Sequence, residues 1–148
     1  MITMKLEGLD EALRSLDKLD DATAGRHLKT AAMAGIMPIQ NAAKQNALKK
    51  SGTLARSIHS EVVSEKSKSI EVATGTDVVY AAIHEFGGPI VPKSANALYF
   101  EIEGHMVVTQ RVEIPARPYM RPAFDDNKGA AEVEVRDSLQ ILVKQATR

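Results

Sequence analysis

The sequence contains no cysteine and few aromatic residues. Its 148 residues include only three tyrosines and three phenylalanines, and these six lie between positions 80 and 124. Without cysteine the chain can form neither a disulfide nor a thiolate metal site, and it has no cysteine nucleophile. The first half of the chain must build its core from Leu, Ile, Val, Met and Ala alone.

Long apolar segments are also absent from the sequence. No run approaches the ~18 apolar residues of a membrane span, and the N-terminus, Met-Ile-Thr-Met-Lys-Leu-Glu, has no apolar signal core. The composition, 44% hydrophobic and 26% charged, is that of an ordinary globular protein. We therefore expect one domain, residues 1–148, that works in the cytoplasm where it is made and does not engage a membrane.

Motifs for catalysis or metal binding are weak. His84-Glu85 opens the zinc-protease motif, but Phe86-Gly87-Gly88 follows where that motif needs a second histidine. The four histidines show no ligand spacing, and neither a phosphate-binding loop nor a Gly-x-Ser-x-Gly motif is present. We predict no catalytic residue, no metal and no cofactor. A hydrolase centred on His84, Glu85 and Arg117 remains an alternative, and His84→Ala would abolish its activity.

Hydrophobic periodicity predicts an α+β fold. Apolar residues at helical spacing predict two N-terminal helices, the first carrying Leu9 to Leu19 and ending near Gly25. The second, over 26–48, is one long helix kinked at Pro38, because its apolar stripe continues in phase across the proline. Alternating residues predict two hairpins, 58–74 and 98–114, that form an antiparallel sheet.

The remaining predicted elements surround these hairpins. A short helix over 78–86 is N-capped by Asp77 and closed by Gly87 in the left-handed cap position, and residues 88–97 form a loop. A C-terminal helix from about residue 118 or 119 to 146 packs on the sheet, with Pro122 in its first turn.

Charge is unevenly distributed along the chain, although the net charge is zero. Residues 26–60, the basic segment, carry a net charge of +6 with no acidic residue, whereas residues 61–110 carry −4. The segment can be a solvated helix face balanced within the fold, or a face that meets an acidic one between subunits. A nucleic-acid groove is the weaker alternative, because base-stacking aromatics are missing there.

The most distinctive stretch is 114–124, Ile-Pro-Ala-Arg-Pro-Tyr-Met-Arg-Pro-Ala-Phe, which we call the clamp. Pro115 and Pro118 favour stiff, extended backbone. We expect Glu85 to pair with Arg117 or Arg121, which would tie the short helix to the clamp. We predict a subunit or partner interface that comprises Lys44, Lys49, Lys50, Arg56, Glu85, Phe86, Arg117, Tyr119 and Arg121.

Several segments together resemble a known family. They are Leu-Glu-Gly-Leu-Asp-Glu at 6–11, Ala-Leu-Lys-Lys-Ser-Gly-Thr-Leu-Ala-Arg-Ser-Ile at 47–58, Tyr-Ala-Ala-Ile-His-Glu-Phe-Gly at 80–87 and Pro-Ala-Arg-Pro-Tyr-Met-Arg-Pro-Ala at 115–123. In this order and spacing they resemble the tail-completion, or head–tail joining, proteins of long-tailed bacteriophages and prophages. Leu48 departs from the family, which commonly has proline there.

The resemblance implies a structural role rather than an enzymatic one. Such proteins act in the virion, at the neck or upper tail, and resemble rings of commonly sixfold symmetry that join the tail to the head. The implied partners are further copies of the chain, neighbouring neck and tail-tube proteins and, more weakly, DNA in the lumen near Lys44, Lys49 and Lys50. A tail terminator is the close alternative, and a small nucleic-acid-binding module is a more distant one.

Overall fold

The chain forms two compact units. The computed structural model describes residues 2–4, 14, 16–66 and 69–147. The larger unit comprises Met1–Val78 and Tyr119–Arg148, and the smaller one, Val79–Pro118, interrupts it in sequence. That residues 1–148 act as a single domain stays a prediction.

The predicted α+β class is confirmed. The described elements, in chain order, are β1 (Ile2–Met4), α1 (Asp21–Asn46), α2 (Thr53–Ser57), β2 (His59–Lys66), β3 (Ser69–Gly75), α3 (Ala81–Phe86), β4 (Gly88–Ile90), β5 (Leu98–Ile102), β6 (His105–Thr109), β7 (Val112–Ile114) and α4 (Met120–Ala146).

Helix α1 begins earlier than the sequence indicated. The Asp20 side chain accepts the backbone N–H of Thr23 at 3.0 Å and so caps the helix at its N-terminus. The prediction that Gly25 separates two helices is therefore wrong, since Gly25 lies inside α1. The first predicted helix falls largely outside the described residues, although Leu16 lies buried against α1 and α4.

Helix α1 continues through Pro38 as one helix, which confirms that the apolar stripe belongs to a single element. It packs along α4, which begins at Met120 with Pro122 in its first turn, as predicted. Gly35 allows the two helices to approach closely. A Cβ at Gly35 would overlap the Val135 side chain and lie 3.0 Å from the Ala131 carbonyl oxygen.

Two apolar clusters hold the larger unit together. One joins α1 to the C-terminal half of α4 and centres on Leu28, Val135 and Leu139. The other places Ile36 of α1, Val72 of β3 and Ala131 of α4 in one core, with Phe124 packed against it. Helix α4 therefore packs on the sheet as predicted, and it shares that core with α1.

The predicted hairpin over 58–74 is confirmed, and a third strand extends its sheet. Strands β2 and β3 pair antiparallel, and β1 pairs with the other edge of β3. The fully buried Thr74 hydroxyl donates to the His59 carbonyl at 3.3 Å and also bonds the Ser60 hydroxyl. These bonds satisfy the buried polar group within the sheet.

The smaller unit departs from the prediction in three places. Helix α3 begins after Tyr80 without a side-chain cap, because the predicted cap Asp77 lies too early in the chain. The predicted loop at 88–97 contains a strand, β4, that pairs with β7. The second hairpin is also shorter than predicted, with β5 paired to β6 through a tight turn at Glu103 and Gly104, both at positive φ.

The two hairpins also lie in separate sheets rather than one. The first hairpin belongs to the larger unit, where β1 completes its sheet, and the second belongs to the smaller unit. Within the smaller unit the chain turns after Thr109, whose hydroxyl donates to the Arg111 carbonyl and accepts the Arg111 N–H. That local turn ends β6 and frees β7 to pair with β4.

Candidate assembly surface

The short helix and the clamp meet through backbone contacts within the smaller unit. The Arg117 N–H donates to the His84 carbonyl at 2.7 Å. Gly88 pairs with Ile114 in the β4–β7 ladder, directly after Gly87, the C-cap residue of α3. The Glu-Phe-Gly segment at 85–87 and the Pro-Ala-Arg-Pro segment at 115–118 are therefore in contact, although about thirty residues separate them in the chain.

Gly87 makes this junction possible. Its φ of 67° lies in the region that glycine favours. A Cβ there would lie 2.6 Å from the Ala116 nitrogen and 2.8 Å from the Ile114 oxygen, closer than real Cβ contacts. Gly87 closes the short helix as predicted, but its ψ of −172° is not that of the predicted left-handed cap. The structure adds a steric requirement imposed by the clamp.

Side chains around this junction face solvent to different degrees. The Phe86 side chain is 70% exposed, and Arg117 is exposed as well, whereas Glu85 is half-buried. Tyr80 and His84 stack edge to face with ring centroids 5.6 Å apart. The junction thus presents an exposed aromatic ring and an exposed guanidinium, and the pairing of Glu85 with a clamp arginine stays a prediction.

Helix α4, in the larger unit, begins within the second half of the clamp. Tyr119 is only 3% exposed, and its carbonyl accepts the Asn46 side-chain amide at 3.4 Å. Arg121 is exposed in the first turn of α4. Tyr119 therefore contributes mainly to the interior of the free chain, whereas Arg121 offers its side chain at the surface.

The unneutralised charge of the basic segment is concentrated in its second half. Lys29 in the first half forms an ion pair with Glu65 at 3.3 Å. Four cations follow near the end of α1 and in α2, and we call them the basic cluster: Lys44, Lys49, Lys50 and Arg56. Within the described ranges no carboxylate pairs with any of these four. Three of them are exposed, and Lys44 is half-buried.

Exposed apolar side chains are concentrated in the smaller unit. Of the thirteen large apolar side chains that are exposed in the described chain, nine lie between residues 79 and 118. They are Val79, Tyr80, Phe86, Ile90, Val91, Tyr99, Ile102, Met106 and Val108. Such concentrations of exposed apolar surface mark sites of association in soluble proteins.

Most of these apolar residues were absent from the predicted interface. A signal for them is present in the sequence, since β5 reads Leu-Tyr-Phe-Glu-Ile and β6 reads His-Met-Val-Val-Thr. Successive side chains of a strand point to opposite faces, so apolar residues at adjacent positions give a hairpin that is apolar on both faces.

The described surface combines an exposed basic cluster with a concentration of exposed apolar side chains. Among the described residues, no group of three or more potential metal ligands lies together. Within the same part of the chain, no helix combines the length and apolar character that crossing a membrane requires.

Comparison with known proteins identifies the family. Residues 12–142 match the Phage virion morphogenesis family, and the chain belongs to it. The chain is also 29% identical to the Mu-like prophage FluMu G protein 2 of Haemophilus influenzae, over 97% of this chain and all of that protein. No solved structure matches the chain significantly. Membership of this family indicates a structural role in phage morphogenesis and an association with the virion.

Proposed function

We propose that this protein forms a homo-oligomeric ring, with a hexamer as the expected form, at the neck or the top of the tail of a long-tailed phage. The ring completes the tail and joins it to the head. It is built in the host cytoplasm, and its partners are further copies of the chain and the neighbouring neck and tail-tube proteins. The protein acts by assembly and carries no catalytic step.

The observation that carries this proposal is the distribution of surface chemistry, taken with the family. One chain has a cationic surface in its larger unit and an apolar, aromatic surface in its smaller unit. A ring requires two different surfaces on each subunit, because its contacts are heterologous. Under this proposal Phe86, Arg117 and Arg121 act at contacts, as do the four residues of the basic cluster. The 88–97 and 103–113 segments lie at contacts with a neighbouring subunit, a neighbouring ring or the tail tube.

Removal of the gene tests the proposed role. Lysates of the deletion strain are imaged by electron microscopy, with the wild-type gene supplied in trans as the control. We expect full heads beside unattached tails of normal length, and complementation restores joined particles. Overlong tails would instead establish a tail terminator, and complete infectious virions would refute the proposal. In particles that form, the copy number of the protein, measured by quantitative mass spectrometry, tests the expected hexamer.

The basic cluster also allows DNA contact in the lumen, which can be measured separately. Each lysine that neutralises a phosphate contributes about 0.9 to the slope of log affinity against log salt concentration. A free-standing DNA-binding module would therefore bind duplex DNA tightly at low salt and lose affinity when Lys49 and Lys50 are replaced by glutamine. The ring proposal predicts that the isolated protein binds DNA weakly and that these substitutions chiefly affect assembly.

A further inference from the structure

The β5–β6 hairpin has an exposed apolar face with no cation on it. Tyr99 pairs with Val108 and Glu101 with Met106 across the two strands, so these four side chains share one face. Tyr99 is 68%, Met106 71% and Val108 57% exposed. We call these four residues the hairpin face.

The hairpin needs a partner for physical reasons. It is a sheet of only two strands, and such hairpins are marginal in water unless a face is covered. On its opposite face Leu98, Phe100 and Val107 are half-buried and Ile102 is 53% exposed, whereas every side chain of the hairpin face is exposed. Covering the hairpin face would remove apolar surface from water and stabilise the hairpin together with the contact.

Charge indicates what kind of surface covers it. Residues 98–109 carry Glu101 and Glu103 and contain no lysine or arginine. Neither carboxylate pairs with a cation in the part of the chain that the structure describes. An acidic, apolar face is matched by cations on long aliphatic stems, since lysine and arginine stems cover apolar surface while their charged ends meet carboxylates.

The basic cluster has this chemistry. Lys49, Lys50 and Arg56 are exposed without a carboxylate partner among the described residues, and a cation above the Tyr99 ring is attracted by its π face. Because each chain carries one hairpin face and one basic cluster, a second copy supplies a complementary surface without any further protein.

We propose that the hairpin face of one copy docks on the basic cluster of the next copy, with Glu101 and Glu103 meeting Lys49 and Lys50. The contact rests on the proposed ring, which it closes by repetition, since each subunit gives its hairpin to one neighbour and its basic cluster to the other. The apolar side chains supply most of the attraction, and the charges set which surface is chosen.

Cross-linking tests this contact sharply because the natural chain has no cysteine. A tagged Glu103→Cys chain and an untagged Lys50→Cys chain are expressed together in cells that lack the wild-type gene. Purified particles are treated with a short bis-maleimide and analysed on a denaturing gel. We expect a dimer that contains one tagged and one untagged chain. The matched control carries Lys128→Cys instead of Lys50→Cys. Lys128 is an exposed lysine of α4 outside the basic cluster, so this control should give at least tenfold less of the mixed dimer.

The outcomes separate this inference from the proposed function. Joined particles that contain both chains but yield no mixed dimer would overturn the docking contact alone. A cross-link from Glu103→Cys to a different virion protein would also overturn it and would assign the hairpin face to that protein. Complete virions from cells without the gene would refute the ring itself.

Charge exchange gives a second test that needs no cross-linker and applies if the cysteine variants do not enter particles. Glu101→Lys with Glu103→Lys should lower the phage titre at least a hundredfold while the circular dichroism spectrum of the purified chain is unchanged. Adding Lys49→Glu and Lys50→Glu to the same chain should restore at least a tenth of the wild-type titre. Failure of the exchanged chain to recover, although it is folded, would contradict the proposed pairing.

Discussion

Replacement of Gly87 by alanine should open the junction between the short helix and the clamp. The residue has φ 67° and ψ −172°, a conformation that costs a residue with a side chain about 1–3 kcal/mol. The added Cβ would also meet the Ala116 nitrogen at 2.6 Å, and such overpacking costs about 1–3 kcal/mol more. Relief requires β7 to move away, which loosens the bond from the Arg117 N–H to the His84 carbonyl.

The assay is native-state hydrogen exchange at the Arg117 amide, compared with amides of α1 in the larger unit. Gly104→Ala is the matched control, because its φ is also positive, at 82°, but its Cβ would meet nothing within 4 Å. Gly104→Ala strains only the β5–β6 turn, so it should leave exchange of the Arg117 amide unchanged. A difference of about 1–3 kcal/mol corresponds to exchange that is roughly 5–150-fold faster in Gly87→Ala. Equal exchange rates in the two variants would refute the steric role of Gly87.

Three further predictions concern the larger unit. Gly35→Ala should lower the urea midpoint, because overpacking against α4 costs about 1–3 kcal/mol and exceeds the gain in helix propensity of at most about 1 kcal/mol. Leu139→Ala should lower the free energy of unfolding by about 2–5 kcal/mol, because the fully buried side chain leaves a cavity. Hydrogen bonds from Thr23 lower the pKa of the Asp20 carboxyl, so Asp20→Ala should destabilise α1 at neutral pH. The difference in stability between the wild-type chain and Asp20→Ala is present above the unfolded-state pKa of Asp20 and disappears as the pH falls through its folded-state pKa.

Exposed positions with the same or a similar residue supply controls for the first two predictions. Gly129 lies in α4, and a Cβ added there would meet nothing within 4 Å, so Gly129→Ala should raise stability by up to about 1 kcal/mol. Ile141→Ala removes an exposed side chain from the same helix and should change stability by less than about 0.5 kcal/mol. If either control loses as much stability as its buried counterpart, the packing account of α1 and α4 is wrong. For Asp20→Ala, a loss of stability that does not change with pH would contradict the capping account.

Local chemistry makes much of the fold predictable. The apolar stripe across Pro38 predicts one helix, and Pro122 fits the first turn of α4, where backbone N–H groups have no partner within the helix. The alternation of side chains within 58–74 and 98–114 predicts both hairpins, since successive side chains of a strand point to opposite faces. Gly87 marks the end of the short helix because glycine favours positive φ.

What the sequence does not reveal depends on contacts between distant residues. The pairing of β4 with β7 joins positions 88–90 to 112–114, and nothing local to either strand specifies that partner. The predicted start of α1 is misplaced because Gly25 suggests a break, although the stronger signal is the Asp20 cap. The sequence predicts the charge of the basic segment, but only the structure shows that Lys29 pairs with Glu65, whereas the four residues of the basic cluster have no carboxylate partner among the described residues.

The location of the protein in the virion tests the central claim most directly. An epitope tag placed after Arg148 extends the exposed end of α4, and tagged, infectious particles are labelled with gold-conjugated antibody and imaged by electron microscopy. The proposal predicts gold at the head–tail junction, one cluster per particle, and none on untagged particles. Label along the tail shaft, at the distal tip or on the head surface, or particles free of the protein, would contradict a ring at the neck.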